Sequence, residues 1–139
     1  QLDVEDFLSR SNEMVSACQN ENPKDNPGAI LGTILGVAHK RGKDKLTIFT
    51  SPEIYDLGAW LEQLIAESTG KEGVSIIPVD REYFQSPETY SDDRVFVYLK
   101  TDKTENGDFE VAFSQMQYKK LPTVKIILQD KMNLGQEFF

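Results

Sequence analysis

Two kinds of apolar pattern alternate along the chain. Short apolar runs, typical of β-strands, occupy residues 46–49, 74–77, 95–99 and 124–128. At least two of these runs are continuous, as in parallel strands that are buried on both faces. Between the runs, residues 56–69 and 108–119 carry apolar positions at helical spacing. This alternation predicts an α/β fold, a three-layer sandwich with a parallel sheet of about four to five strands flanked by helices.

The first part of the chain predicts two more helices. Asp3 is placed to cap a helix that runs to about Gln19. Asn26 followed by Pro27 is a typical helix start, because asparagine caps free N–H groups and proline suits the first helical position. Small residues recur every four positions in this second helix, at Gly28, Gly32 and Gly36. Their spacing predicts close packing of the helix on the sheet.

Composition and charge narrow the class of protein. The 139 residues are 39% hydrophobic and 27% charged, which suits one folded domain. The net charge of −8 disfavours nucleic acid and anionic membrane surfaces as partners. No apolar run approaches the length of a membrane span. Cys18 is the single cysteine, which excludes an internal disulfide framework and fits a reducing cytoplasm.

Both ends of the chain read as cut. It starts at Gln1 rather than methionine, and residues 137–139 resemble the first turns of another helix. We therefore expect residues 1–139 to be one domain of a longer protein, incomplete at both ends. Residues 81–93 are polar and predict a loop with a short helix.

The chain lacks the sequence signals of several common sites, and any Ser-His-Asp or Cys-His site would need His39. His39 is the single histidine, near a helix C-terminus where a cation is simply stabilising. One histidine and one cysteine cannot build a structural zinc site. The turn at Thr50 and Ser51 has hydroxyl groups but no glycine, so neither a Rossmann fingerprint nor a P-loop is present. Weak anion binding at this turn and ordinary helix capping both remain open.

Gln63 and Glu67 stand out at the end of the predicted helix 56–69. They are four residues apart and therefore share one stripe of the helix. A carboxylate in the last turn opposes the helix dipole, which costs about 0.3–1 kcal/mol, so Glu67 is not there for helix stability. Gly70 predicts a left-handed helix stop. A partly shielded amide–carboxylate stripe suits a polar ligand and a general base, although from the spacing alone a chance surface pair is the simpler explanation.

The motif around this pair resembles a known family. LEQLIAESTGK (residues 61–71) resembles the Gln-x-x-x-Glu-Ser-(Asn/Thr)-Gly-Lys signature of the glucose-6-phosphate isomerase (phosphoglucose isomerase) family. Residues 45–52 resemble the strand before the motif and residues 77–80 resemble the end of the strand after it, and the likeness runs from about Asn26 to the end. It implies a Rossmann-like sugar-isomerase (SIS) domain, the larger of two in the family. The short form ESTGKEG resembles the isomerase half of bacterial transaldolase/glucose-6-phosphate isomerase fusions.

The resemblance also implies a function. Glu67 matches the family's base, which moves a proton between C1 and C2 through a cis-enediolate, and Gln63 matches a glutamine that holds the substrate. The expected reaction interconverts glucose 6-phosphate and fructose 6-phosphate in the cytoplasm without metal or organic cofactor. The expected partners are the sugar phosphate, a second SIS domain and another subunit. The family's ring-opening histidine has no match, since only residues 71–73 separate the motif from the next strand.

Two other functions remain open. A non-catalytic SIS module that binds a phosphosugar differs at Glu67, because a pure binder gains nothing from a carboxylate beside an anionic ligand. A flavodoxin-like interaction domain would need no stripe of Gln63 and Glu67 at all. Helix geometry adds a positional expectation, because about 12 residues at 1.5 Å each carry the chain roughly 18 Å back along the sheet. Glu67 should then lie with Gln63 on an exposed surface near the amino ends of the strands, facing another domain or subunit.

Overall fold

The sheet carries the architecture that the pattern predicts. The computed structural model describes residues 3–104 and 107–138. Within them a parallel, four-stranded sheet has the order β2-β1-β3-β4. Its strands are β1 (Lys45–Thr50), β2 (Ile77–Asp80), β3 (Arg94–Thr101) and β4 (Thr123–Leu128). Helices flank it, so the predicted α/β fold class is confirmed.

Four α-helices are described beside the strands: α1 (Val4–Cys18), α2 (Pro27–Lys40), α3 (Tyr55–Thr69) and α4 (Gly107–Tyr118). Both predicted N-caps form. The Asp3 carboxylate accepts from the Asp6 N–H at 3.1 Å, and the Asn26 side chain accepts from the Ala29 N–H at 2.9 Å. Short 3₁₀ segments complete the description: Pro52–Ile54, Pro87–Thr89 and Lys131–Phe138. The helix expected at residues 137–139 is therefore 3₁₀ as far as Phe138, and Phe139 lies outside the described residues.

Alternate side chains of the central strands feed two separate cores, one on each face of the sheet. The face under α2 and α3 is aliphatic and includes Ala38, Leu46, Ile48, Leu57, Val95, Val97 and Leu99. The face under α4 is aromatic and includes Phe49, Phe96, Tyr98, Phe113 and Met116. Because β1 and β3 are covered on both faces, their sequences are continuous apolar runs rather than alternating ones.

The second strand lies three residues later than the pattern predicts. Residues 74–77 were predicted to be extended, but Lys71 and Val74 close a tight turn, and the strand is Ile77–Asp80. Pro78 sits inside this strand, where it can donate no hydrogen bond. The position is tolerated because β2 is the edge strand of the sheet and pairs on one side, with β1.

The glycine stripe of α2 does not pack on the sheet. Gly32 and Gly36 are exposed, and a Cβ added at either would meet nothing within 4 Å. The prediction of close glycine packing is therefore wrong. Instead, Leu35 and Ala38 turn towards the aliphatic core.

An ion pair at the amino edge of the sheet predicts an acid-sensitive contribution to stability. The Lys45 ammonium, 2.7 Å from the Asp93 carboxylate, and the Ser91 hydroxyl hold the pKa of Asp93 at about 2, below its usual 3.8. A pKa lowered in the folded state stabilises the chain above about pH 4, and this contribution is lost as the pH falls towards 2. Asp93→Asn should therefore remove part of the acid sensitivity of urea unfolding in this window. Asp92→Asn, at a side chain that is 97% exposed, is the control, and equal acid sensitivity of the two variants would contradict the prediction.

Candidate active site

The last turn of α3 lies at the amino edge of the sheet. The Thr69 hydroxyl accepts a hydrogen bond from the Ile76 N–H at 3.1 Å. Ile76 directly precedes β2, whose first residue, Ile77, pairs with Lys45 at the start of β1. Since Glu67 is in the same helical turn as Thr69, it also lies near the amino ends of the strands. Helix geometry predicted this position.

Gln63 and Glu67 are in direct contact. The Gln63 Nε2 donates to the Glu67 Oε1 at 3.2 Å, and both side chains are exposed. Five depressions of the described surface are lined by other residues. The expected pairing on one open stripe is therefore confirmed. The partial shielding from water that a general base needs is not supplied by the residues around the pair.

The C-cap of α3 has a different backbone conformation from the predicted one. Gly70 is extended, with φ −75° and ψ 105°, so the prediction of a left-handed stop is wrong. Glycine is still required, because a Cβ at this position would lie 2.8 Å from the Ala66 carbonyl oxygen. The left-handed residues come later, at Glu72 (φ 51°) and Gly73 (φ 81°).

Those two residues form the tip of a two-residue turn. Lys71 and Val74 flank it and exchange two backbone hydrogen bonds of 2.9 Å. Positive φ at both central residues is typical of a type I′ turn, in which asparagine or glycine is usual and glutamate is not. The turn reverses the chain between α3 and β2 and holds Glu72 in a strained left-handed conformation.

Sequence reasoning assigned no role to Thr69, although Thr69 occupies the (Asn/Thr) position of the isomerase signature. Its hydroxyl lies 2.7 Å from the Ile65 carbonyl oxygen, one turn back in the helix, and also contacts the Ile76 backbone. The first of these contacts is common for threonine in helices and carries little information. The second joins residues seven positions apart, and no sequence pattern signals it.

The hydroxyl turn after β1 is engaged by the chain itself. The Ser51 Oγ accepts from the Thr101 N–H at 3.3 Å, rather than capping a helix. The Glu53 carboxylate lies at the following helix start, where the Thr104 hydroxyl donates to it at 2.8 Å. Its own backbone N–H and Thr104 lower the pKa of Glu53. An anion approaching this turn would meet a carboxylate, so the arrangement disfavours the anion site considered from the sequence.

The other two residues considered from the sequence, His39 and Cys18, lie at the ends of helices. His39 is in the last turn of α2, and Cys18 is the half-buried last residue of α1. Among residues 3–104 and 107–138, no group of three or more His, Cys, Asp or Glu side chains could hold a metal ion. The helices in this part of the chain are too short or too polar to cross a membrane.

Fold and site together define a parallel α/β domain that presents an amide–carboxylate pair at the amino edge of its sheet. Part of the chain is similar to glucose-6-phosphate isomerases. It is 38% identical to that of Methanocaldococcus jannaschii over 79 residues, which are 56% of this chain and 20% of the relative. It is 28% identical to that of Clostridioides difficile (strain 630) over 83 residues, which are 59% of this chain and 18% of the relative.

The similarity supports an isomerase-related function for the chain. No protein-family model matches it. The matched segment spans about a fifth of the length of these relatives. The activity and substrates of a full-length isomerase can therefore only be proposed for this chain.

Proposed function

We propose that this chain is one SIS domain of a larger isomerase, which interconverts glucose 6-phosphate and fructose 6-phosphate. The observation that carries the proposal is the 3.2 Å contact between Gln63 and Glu67. It lies within a segment whose sequence resembles the isomerase signature. The partial similarity to glucose-6-phosphate isomerases supports the same substrate class.

Glu67 is the proposed base. Its carboxylate takes the proton from C2 of the open-chain aldose, which leaves a cis-enediolate, and returns the proton to C1. The hydroxyl proton moves from O2 to O1 in the same interconversion, which gives the ketose. The Gln63 amide donates to Oε1, which leaves Oε2 as the oxygen proposed to take the proton. Gln63 also binds the substrate. This role explains a carboxylate at the negative end of a helix, where it does not stabilise the helix.

The proposed site is one half of a cleft. Glu67 is open to water, and Leu64, three residues before it on the adjacent stripe, is 41% exposed. The net charge of −8 gives this chain little attraction for a phosphate group. We therefore assign the phosphate-binding groups, and the surface that excludes water, to a second SIS domain and another subunit.

Isotope transfer tests the proposed reaction. With the intact protein and glucose 6-phosphate deuterated at C2, we expect fructose 6-phosphate to form with a primary isotope effect. Deuterium should appear at C1 or in the solvent, because a single base carries the proton between the two carbons. Binding of the sugar phosphate without isotope loss would contradict the proposal and favour a non-catalytic phosphosugar-binding module.

The isolated 139-residue chain should not turn over glucose 6-phosphate. It exposes the proposed base but has an unfavourable charge for a phosphate ester, so binding should be weak as well. A coupled assay of fructose 6-phosphate formation checks this expectation, with the Glu67→Gln chain as the blank. Turnover above that blank would show that this chain alone contains a complete site.

A further inference from the structure

The backbone of α3 provides few capping hydrogen bonds at its C-terminus. The Gly70 N–H reaches the Ala66 carbonyl at 3.2 Å, and Gly70 then leaves the helix in an extended conformation. A left-handed cap would satisfy more of the free carbonyl groups at a helix end, and this helix lacks one. Glu67 is in this last turn. Another restraint is needed to hold its carboxylate in one place.

Thr69 supplies that restraint. Its half-buried hydroxyl bonds the Ile65 carbonyl at 2.7 Å and the Ile76 N–H at 3.1 Å. Ile65 and Thr69 bracket Glu67 in the helix, and Ile76 belongs to the chain that enters β2. One side-chain oxygen therefore ties the turn that carries Glu67 to the edge of the sheet.

The turn at residues 71–74 brings Ile76 back to within hydrogen-bond distance of Thr69. Its two hydrogen bonds of 2.9 Å and its two left-handed residues restrict the backbone between Gly70 and Ile76. A left-handed glutamate such as Glu72 is strained, and strain of this kind persists only where the surrounding structure fixes the backbone. The turn and Thr69 thus form one clamp on the last turn of α3.

We infer that Thr69 is a positioning residue for Glu67, acting through the last turn of α3 and not by contact with substrate. This inference rests on the proposed function of Glu67 as the base. A displacement of about 1 Å in a catalytic group can cost about 100-fold in rate. Because the clamp acts on the base, its loss should reduce kcat, whereas groups that bind the phosphate are elsewhere and KM should change little.

The test compares two substitutions in the intact protein. Thr69→Val keeps the shape of the side chain but removes the hydroxyl, and we expect it to lower kcat by about 10- to 100-fold at nearly constant KM. Thr69→Ser keeps the hydroxyl and should restore most of the wild-type kcat. Far-UV circular dichroism and the thermal midpoint of each variant establish that both are folded.

Every outcome of the comparison bears on the inference. Wild-type kcat in Thr69→Val, equal losses in the Val and Ser variants, or a rise in KM that matches the fall in kcat would overturn it. Failure of Thr69→Val to fold would also overturn it, since Thr69 would then support the fold as a whole. The proposed function is judged separately, with Glu67→Gln in the same assay. An inactive Glu67→Gln beside a fully active Thr69→Val refutes the positioning role alone.

Discussion

Glu67→Gln in the intact protein is expected to lower kcat by about 10²–10⁴-fold and to leave KM almost unchanged. Glutamine keeps the size of the side chain and can still hydrogen-bond to Gln63, but it cannot take a proton. The substitution therefore removes the proton-transfer step while keeping the surface on which the substrate rests. Steady-state kinetics in both directions, from glucose 6-phosphate and from fructose 6-phosphate, measure the effect.

Two neighbouring positions provide controls for this experiment. Glu62→Gln makes the same chemical change at another exposed position of α3 and should leave kcat unaltered. Gln63→Ala removes the proposed substrate contact and should act mainly on KM. Near-normal kcat in Glu67→Gln would show that Glu67 is not the base, and would favour a module that binds phosphosugars without converting them.

The strands could be predicted where burial on both faces produces a continuous apolar run in the sequence. β1 and β3 are covered on both faces, so their continuous apolar runs identify them closely. The edge strand β2 has four residues, of which Ile77 is exposed and Pro78 is buried. The apolar residues of 74–77 reflect the turn that leads into it, not the strand. Periodicity alone could not place this element, whereas the resemblance to the isomerase family likened residues 77–80 to the end of a strand.

The sequence predicted only those features of the site that depend on residues within one helix and on the direction of that helix. The pairing of Gln63 with Glu67 follows from a spacing of four residues in a helix. Its location at the amino edge follows from helix length and strand direction. The contact between Thr69 and Ile76 depends on the backbone of a strained turn, which no side-chain pattern encodes. The solvent-excluding half of the proposed cleft is not formed by the described residues.

The contact between α3 and β2 predicts the second large effect, on stability. Gly58 is buried in α3, and a Cβ at this position would lie 2.7 Å from the Asp80 Cγ. The Asp80 side chain is 3% exposed, burial raises its pKa, and the Arg81 Nε is 3.4 Å from its Oδ2. The carboxylate therefore has little room to move away. Gly58→Ala should destabilise the chain by about 1–3 kcal/mol through overpacking, despite the better helix propensity of alanine.

Urea unfolding of Gly58→Ala beside Gly36→Ala separates overpacking from helix propensity. Gly36 also lies within a helix, but a Cβ there meets nothing within 4 Å, so alanine should raise the free energy of unfolding by about 0.5–1 kcal/mol. In an Asp80→Ala background the obstacle is gone, and Gly58→Ala should then become stabilising as well. A stabilising Gly58→Ala in the unmodified chain would mean that the Asp80 carboxylate can turn aside freely. Because α3 contacts Asp80 of β2 at Gly58, and Ile76 just before β2 at Thr69, a shift at the first contact should also move the turn that carries Glu67.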